Sequence, residues 1–500
     1  MLWTRILPVF LILLAPNTVL AQTTSLADVI RETLSNSPDI PINALSIDNA
    51  KIEQQRIEGM LDSNVSMRLG YSDEKVPTTS PFAANKTQYS QLSGALTKPF
   101  ENGSALTGSL NYNRTKFTYP SSTPPTFQSS INPSYQNQID LTYRYPLLRG
   151  HGNPAYHDQM TASKQDEQAA HWRVEMLKEQ LAEQATVLYF QLTANNLSYK
   201  LAKDAVYRAK KLLKYQKMRE QFGLIERADR LQAEALLATR HMELNITEAT
   251  AIQGKTNLNR LMLRAPNTFL NPELNGGIFS SNNIAELSLD HLLAEAEKSR
   301  PAFRVIQANL DASDARLAAA RNQHETQVDL VGQVGSRSLD SSAGTALAQG
   351  FTLNDRFVSL SVELSDTLTG NRTKASIRQA ELSRQQAMLE QIQTRESVKS
   401  ALASALTTLN STQKIVVSAK QRAKAENSKF NAEMKRYREG RSDTATIIQF
   451  EGELRKAELQ TAVQEASLKL AVHQLELARG NLLPALEANK HPSHSHKEVK

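Results

Sequence analysis

The sequence predicts an α+β fold that is built twice, with amphipathic strands followed by very long helices in each half. Of 500 residues, 40% are hydrophobic and the mean hydropathy is −0.44. That is enough apolar material for a packed protein, and it is too polar for a bundle of membrane helices. No proline lies between Pro154 and Pro266 or between Pro301 and Pro484, which leaves two long segments free to be helical.

Charge and cysteine content exclude several classes of protein. The chain has 58 basic and 51 acidic residues, a net charge of +7, and these charges are spread along the sequence. Because no basic block is present, a nucleic-acid surface is not indicated. The absence of cysteine excludes disulfide frameworks, thiolate metal sites and cysteine nucleophiles.

Residues 1–21 are typical of a cleavable secretory signal peptide, with Arg5 ahead of an apolar run and small or β-branched residues before a cleavage point after Ala21. A membrane anchor is the alternative. It is less favoured because Pro8 and Pro16 interrupt the run, which is too short to span a hydrocarbon core of ~30 Å.

An internal repeat follows the signal segment. Ser25-Leu26-Ala27-Asp28 and Ser288-Leu289-Asp290-His291 open two similar segments at an offset of 288 − 25 = 263 residues. The sequence therefore predicts a first structural repeat over 22–275 and a second over 276–484. Residues 485–500 are predicted to form a disordered tail containing histidine and lysine.

Each repeat is predicted to contain a helix, strands and a long helix pair. The strands alternate apolar and polar residues, and their apolar positions are Val65/Met67/Leu69/Tyr71, Ile139/Leu141/Tyr143/Tyr145, Val328/Leu330 and Val358/Leu360/Val362/Leu364. Residues 88–114 add one extra hairpin in the first repeat, with its turn at Asn102-Gly103. Strands of about nine residues suit a tilted membrane strand, and a small soluble sandwich would show the same alternation.

The helix pairs are predicted from unbroken segments and heptads. Asn153-Pro154 provides an N-cap and a first-turn proline, and no glycine or proline follows until Gly223. In the second repeat, Asn371 caps an equivalent segment that ends before Gly440. Apolar residues recur every seventh position, at Leu402, Leu409, Val416, Ala423, Phe430 and Tyr437 and, on the return arm, at Ile447, Leu454, Leu468, Leu475 and Leu482 with Thr461 as the polar member. The pattern predicts antiparallel coiled coils that reverse tightly at tips near 223 and 440.

Four strands cannot close a membrane barrel, since such barrels need at least eight, and open sheet edges in lipid are costly. A membrane-inserted chain must therefore oligomerise. Three copies would supply about twelve strands, or about eighteen if the extra hairpin joins the wall, around an aqueous lumen. The sequence thus predicts a trimeric outer-membrane β-barrel, with four or more strands per chain, continued by a periplasmic coiled-coil tunnel.

The chain resembles the TolC-like outer-membrane efflux family. The resemblance is carried by the duplicated plan, the order and spacing of the motifs, and the two tips. The motifs are Asn36-Ser37-Pro38-Asp39, Ser299-Arg300-Pro301 and Pro146-Leu147-Leu148-Arg149-Gly150. It implies a homotrimeric channel-tunnel in the outer membrane. Its partners would be a periplasmic adaptor (membrane fusion) protein and an inner-membrane pump, and it would serve tripartite efflux or type I secretion of small molecules or proteins without a cofactor.

The resemblance also implies gate residues at the periplasmic aperture. In the family, an Asp six residues after the first tip glycine and a Tyr three before the second link neighbouring coiled coils. These positions are Asp229 and Tyr437 here, so we expect a hydrogen bond between them in the closed state. Adaptor contacts are expected at the tips, at Gly223, Leu224 and Gly440, where a partner must approach the backbone.

Other aperture positions depart from the family. Thr446 and Gln449 stand where the family or its best-known member has Asp, and Ser442 stands where that member has Arg. A ring of acidic residues at the aperture is therefore either absent or formed by other positions, for which Asp443 and Glu226 are the candidates. Selectivity therefore cannot be carried over.

Histidines 491, 494 and 496 belong to the predicted tail and are interpreted as solvated, with metal collection as the alternative. No catalytic triad, zinc-protease motif or phosphate-binding loop occurs, so no enzymatic activity is predicted. The competing hypothesis is a secreted or surface coiled-coil structural protein with a small β cap. A periplasmic adaptor is disfavoured, since adaptors usually have one coiled-coil hairpin per chain. The cargo stays open.

Overall fold

A computed structural model describes residues 24–279, 288–352 and 354–488 of the chain. The predicted signal peptide and His491, His494 and His496 lie outside these residues. Residues 485–488, predicted as part of the tail, are instead helical. Leu482 and Leu486 are buried one turn apart, and this burial holds the segment against the core.

The described chain consists of ten α-helices, two short 3-10 turns and six strands. The helices are α1 (Leu26–Asn36), α2 (Asp39–Glu58), α3 (Pro154–Gln221), α4 (Arg227–Leu261), α5 (Leu289–Ser299), α6 (Pro301–Asn322), α7 (Ala343–Phe351), α8 (Asn371–Arg438), α9 (Thr444–Ala478) and α10 (Leu482–Ala488). The strands are β1 (Asn64–Lys75), β2 (Lys86–Pro99), β3 (Ala105–Thr118), β4 (Ser134–Pro146), β5 (Gln327–Asp340) and β6 (Arg356–Ser365). None of the described helices is both long and apolar enough to cross a membrane.

Helix lengths repeat between the two halves of the chain. Helices α1 and α5 both have 11 residues, α3 and α8 both have 68, and α4 and α9 both have 35. The side chain of the N-cap Ser25 accepts a hydrogen bond from the backbone amide of Asp28, and that of the N-cap Ser288 accepts one from the backbone amide of His291. Equal lengths and equal caps agree with the predicted duplication.

The chain forms two compact units, and neither coincides with a sequence repeat. The helical unit comprises the described residues of Met1–Pro41, Glu175–Pro301 and Glu396–Lys500. The sheet unit comprises Ile42–Val174 and the described residues of Ala302–Arg395. Each unit contains segments of both halves, because the long helices α3 and α8 begin in one unit and end in the other.

The sheet unit contains one antiparallel sheet with the strands in chain order, β1 to β6. The extra hairpin is therefore part of the sheet, as β2 and β3, and Gly103 turns it with φ of +86°. Strand β4 pairs with β5 across the boundary between the halves, with Leu141 opposite Val334. Strands β1 and β6 form the two edges, each paired along one side only within the described chain.

Alternation gives the sheet an apolar and a polar face. Paired apolar positions follow one another across the strands, as in Val65 opposite Leu96 and Val334 opposite Val358. On the edge strands this face is open to solvent, with Met67 71% exposed and Val358 77% exposed. An uncovered apolar face of this extent needs a partner surface or lipid.

Helix α7 lies on the apolar face and was not predicted. It covers polar side chains that interrupt this face: Asn137 and Ser338 donate hydrogen bonds to the carbonyls of Leu347 and Ala346. At Gly350 the contact is so close that an added Cβ would lie 2.1 Å from the Asn137 amide nitrogen. The helix thus satisfies buried polar groups with its own backbone carbonyls.

The helical unit buries several of the predicted seam positions in its core. Leu402, Leu409 and Tyr437 on α8 are fully buried, as are Ile447 and Leu475 on α9. Thr461, the polar seam member, donates a hydrogen bond across to the carbonyl of Ala419 at 3.1 Å. The heptad prediction is therefore confirmed for these positions.

Candidate functional site

Both helix pairs reverse at a glycine, as predicted. Gly223 and Gly440 have φ of +69° and +77°, and a Cβ at either position would meet open space. The following amides close the preceding helices: Leu224 donates to the Arg219 carbonyl and Arg441 to that of Arg436, both at 2.9 Å. These are Schellman-type ends, in which glycine takes the left-handed conformation.

The first tip presents apolar side chains to solvent. Leu224 is 65% exposed and Phe222 is 73% exposed, on either side of Gly223. Exposed aromatic and aliphatic groups on a rigid turn are suited to a protein contact. The second tip is polar, since Glu439 and Arg441 flank Gly440 and form an ion pair.

The hydroxyl of Tyr437 lies in a buried polar cluster just below the second tip. The Gln216 side-chain amide donates to this hydroxyl and to that of Thr444, the latter at 2.8 Å. The Tyr437 and Thr444 hydroxyls are 3.2 Å apart. The cluster therefore joins α3, α8 and the start of α9.

Aromatic and cationic groups pack around the Tyr437 ring. The Tyr215 ring meets it edge-on at a centroid distance of 5.9 Å, and the Arg219 guanidinium lies 5.3 Å from its centroid. Such contacts strengthen a buried aromatic anchor by about 0.5–2 kcal/mol each. Tyr437 is thus held on its ring and on its hydroxyl by residues of α3, the first helix of the other pair.

A second buried polar cluster lies further from the tips. Arg240 on α4 is 5% exposed, and it binds Glu451 on α9, which is 2% exposed, with its Nε at 3.1 Å. Arg208 on α3 binds the other Glu451 oxygen at 3.3 Å and also pairs with Glu458 at 3.1 Å. This network links three of the four long helices through ion pairs, of which Arg240–Glu451 is almost fully withdrawn from water.

Packing is incomplete between the two clusters. A cavity of about 340 Å³ is lined by Leu212, Phe430 and Ile447 and, at its rim, by Arg208 and Arg438. The cavity lies between residues of α3, α4, α8 and α9, since Leu236 of α4 also lines it.

The structure does not join Asp229 to Tyr437 within the chain. Asp229 lies half-buried in the first turn of α4, and its carboxylate has no partner among the residues that the structure describes. The sequence prediction missed Gln216 and Thr444, whose side chains form hydrogen bonds with the Tyr437 hydroxyl. No local signal identifies either, since they are 221 and 7 residues away from Tyr437 along the chain.

The remaining aperture candidates mostly stabilise the helices. Asp443 is the N-cap of α9, and hydrogen bonds from the backbone amide of Thr446, then from its hydroxyl, lower the Asp443 pKa. Gln449 is exposed and donates to Glu453 at 3.2 Å. Glu226 is the N-cap residue of α4, without a side-chain capping bond. These bonds favour the charged form of Asp443, which places a negative charge near the second tip.

The polar face of the sheet carries paired charges. Arg144 on β4 binds Asp329 on β5 at 2.7 Å and Glu363 on β6 at 2.8 Å. Asp140 accepts hydrogen bonds from Ser109 and Gln138. This face is therefore suited to water, in contrast to the apolar face behind it. Among the described residues, no cluster of three potential metal ligands is present.

Solved structures with the same fold are known. The outer-membrane channel OprN matches with a TM-score of 0.66 and 17% identity, covering 91% of this chain and 90% of that one. CusC, which forms a transmembrane channel, matches at 0.66 and 13% identity over 92% of both chains. The outer membrane protein VceC from Vibrio cholerae matches at 0.63 and 15% identity, covering 91% of this chain and 96% of that one. The single-chain fold implied by the TolC-like resemblance, with antiparallel strands and long helices, is thus confirmed.

No protein-family model matches the sequence, and no curated protein matches it either. At the identities above, the likeness to OprN, CusC and VceC establishes the fold alone.

Proposed function

We propose that this protein, which shares the fold of outer-membrane channels, is itself a trimeric outer-membrane channel-tunnel and acts as a passive exit duct. The observation that carries the proposal is the incomplete wall. One chain supplies a six-stranded sheet with two free edges and an exposed apolar face. Unpaired strand edges and apolar faces of this kind favour aggregation in water. Closing the sheet into a barrel within lipid pairs the edges and covers the apolar face.

Three chains would close the wall. Six strands from each give about eighteen, in the range of barrels that leave an aqueous lumen. Pairing β1 of one protomer with β6 of the next removes every free edge. The apolar face would then meet lipid, and the face bearing Arg144 and Asp140 would line the lumen.

The long helices would form the periplasmic tunnel. Two antiparallel pairs per chain, α3 with α4 and α8 with α9, give six pairs in a trimer. Near the tips, buried residues of both pairs pack together in one hydrophobic cluster. No catalytic role is proposed for any residue.

Closure of the tunnel is proposed to depend on Tyr437. Its hydroxyl links the second helix pair to α3 of the first pair through Gln216. A phenol hydroxyl donates one hydrogen bond and accepts others, so it can also bond Asp229 once the protomers assemble. Opening would require α8 and α9 to move away from α3 and break these bonds.

The tips are proposed to contact a periplasmic adaptor, through Gly223 and Leu224 on the first and Gly440 on the second. Exposed Phe222 and Leu224 offer apolar contact area, and the bare glycine turns let a partner approach the backbone. Energy for transport would come from an inner-membrane pump. The cargo would be small molecules or proteins.

The proposal is tested on protein extracted from outer membranes. We expect a trimer band on unheated gels that converts to monomer on boiling, and discrete conductance steps when the trimer is added to planar bilayers. A stable monomer from the soluble periplasmic fraction, with no conductance, would contradict the proposal. It would favour the coiled-coil structural protein with a β cap.

A further inference from the structure

One end of the sheet carries a distinct set of side chains on its apolar face. Three strand connections lie at this end: β1–β2 (residues 76–85), β3–β4 (119–133) and β5–β6 (341–355). We call it the distal end. The long helices join the sheet at the opposite end. On the apolar face, hydrophobic residues give way towards the distal end first to tyrosines and then to cations.

The tyrosines form a band across the strands, with Tyr112 one step before the level that Tyr71 and Tyr135 share. Tyr71 is on β1, Tyr112 on β3 and Tyr135 on β4, and the strand register places all three on the same face as Leu69 and Leu110. The rings of Tyr112 and Tyr135 are stacked with centroids 6.2 Å apart. Aromatic bands of this kind lie at the level of lipid head groups in membrane strands.

The cations begin at the level of Tyr71 and Tyr135, where Arg114 lies directly opposite Tyr135, and the lysines continue towards the distal end on the same face. Arg114 follows Tyr112 by two residues, and Lys116 follows Arg114 by two. Lys75 on β1 and Lys86 on β2 are directly opposite each other. Like charges in this position are destabilising unless an anion compensates them.

Acidic side chains do not neutralise this set. Asp73 pairs with Lys86 at 2.8 Å, which accounts for one of the four cations. Arg114, Lys116 and Lys75 form no ion pair with any residue that the structure describes. The excess of positive charge on an otherwise apolar face calls for a negatively charged partner.

A groove leads from the cations to the apolar part of the face. Its volume is about 630 Å³, and its lining includes Leu69, Leu92, Tyr112, Arg114 and Ala343. Ala343 belongs to α7, which forms one wall. The groove therefore offers apolar contacts along its length and a guanidinium at its rim, the arrangement that an amphipathic anion needs.

We propose that this surface binds a phosphate-bearing lipid of the outer leaflet, with a phosphate at Arg114 and Lys116, an acyl chain in the groove, and Lys75 adding positive charge further towards the distal end. The inference rests on the proposed function, because only a membrane-inserted sheet meets lipid. Arg114 provides the planar fork that matches phosphate, and the lysines add point charges. A free phosphate ion would leave the apolar groove unused.

The test uses the full mature protein, stripped of lipid in detergent and placed in neutral phosphatidylcholine nanodiscs with a small fraction of lipid A. We measure lipid A retained per trimer after affinity purification. Wild type should retain at least about threefold more than R114Q/K116Q, and the charge-conserving R114K/K116R should retain about as much as wild type. R68Q, which removes a cation from the opposite face of β1, is the matched control and should match wild type.

Two further arms identify the lipid chemistry. Dephosphorylated lipid A should show no difference between wild type and R114Q/K116Q, and inorganic phosphate should not compete at millimolar concentration. Equal retention of lipid A by conducting trimers of wild type and R114Q/K116Q would overturn this inference and leave the channel function intact. A wild-type protein that forms neither trimers nor conductance steps would overturn the channel function, and this inference with it.

Discussion

The hydroxyl of Tyr437, near the end of α8, lies 3.2 Å from the hydroxyl of Thr444 at the start of α9, and the Gln216 amide on α3 bonds both. This contact connects the two arms of one hairpin to a helix of the other. It is the polar contact nearest the second tip that joins the two helix pairs through buried groups.

Removing the Tyr437 hydroxyl should weaken the contact between the second helix pair and α3. In Tyr437→Phe the Gln216 amide loses one buried partner, at a cost of about 1–3 kcal/mol. We expect a larger single-channel conductance and more frequent open events in planar bilayers. Tyr207→Phe is the control, since Tyr207 is exposed on α3 and its hydroxyl makes no bond to the described residues. Unchanged conductance in Tyr437→Phe would contradict a gating role.

Substituting Asp229 tests whether the tip is closed by an Asp229–Tyr437 bond between protomers or by the Gln216 and Thr444 contacts within one chain. If the assembled trimer adds an Asp229 to Tyr437 bond, Asp229→Ala should raise conductance, and its effect should not add to that of Tyr437→Phe. We expect this result, with conductance in the double variant close to that of Tyr437→Phe alone. Wild-type conductance in Asp229→Ala would instead leave Gln216 and Thr444 as the contacts that close the tip.

The Arg240–Glu451 pair should matter more for stability than for conductance. Glu451→Gln leaves two guanidiniums, of Arg240 and Arg208, without their shared carboxylate. Arg240 keeps Glu243 and Arg208 keeps Glu458, so the cost should be smaller than the about 3–5 kcal/mol of a fully broken buried pair, and the trimer should still dissociate at a lower temperature on heated gels. Glu453→Gln removes a surface partner of Lys429 and should change the dissociation temperature little. Equal effects of the two substitutions would contradict the account of this network.

His473 should make stability depend on pH. Its Nδ1 donates to the Lys469 carbonyl at 2.7 Å, and its Nε2 accepts from the amides of Ile278 and Phe279 at 2.9 and 3.3 Å. Burial lowers the pKa of His473 from 6.5 to about 4. Between these values the unfolded chain takes up a proton and the folded chain does not, so stability decreases as pH falls from about 6.5 to about 4.

The expected loss from His473 over that range is about 3 kcal/mol, and we measure it as the melting temperature of detergent-solubilised protein at several pH values. In His473→Gln the melting temperature should be lower at pH 7 and should depend less on pH. His241→Gln, at an exposed position of α4, should keep the wild-type pH dependence. A wild-type slope in His473→Gln would rule out this histidine as the cause.

Periodic features of the fold could be predicted from the sequence. The 68-residue helices follow from the absence of helix breakers, and Gly223 and Gly440 mark the reversals because an αL residue is needed there. Strand alternation identified the apolar face. The extra hairpin was predicted, and the sheet order shows that it belongs to the sheet as β2 and β3.

Features that depend on distant partners could not be predicted. Helix α7 is short and contains Gly344 and Gly350, so propensity does not favour it, and it forms over Asn137 and Ser338 from other strands. In the sequence, nothing distinguishes Gln216 from the other polar residues of a long helix. Its partner Tyr437 is 221 residues away, and a single sequence contains no signal for that contact.

The central claim is that a single chain forms part of a wall and that neighbouring protomers complete it by pairing β1 with β6. Because the chain has no cysteine, engineered pairs can test this cleanly. Leu69→Cys on β1 is combined in turn with Val358→Cys, Leu360→Cys or Val362→Cys on β6, and membranes are oxidised before boiling. Leu69→Cys alone is the control and should remain monomeric.

We expect at least one of the three pairs to give a disulfide-linked trimer that survives boiling and returns to monomer with reductant. Monomer alone from all three pairs, in preparations that contain the protein in the outer membrane, would contradict the claim that β1 and β6 meet between protomers.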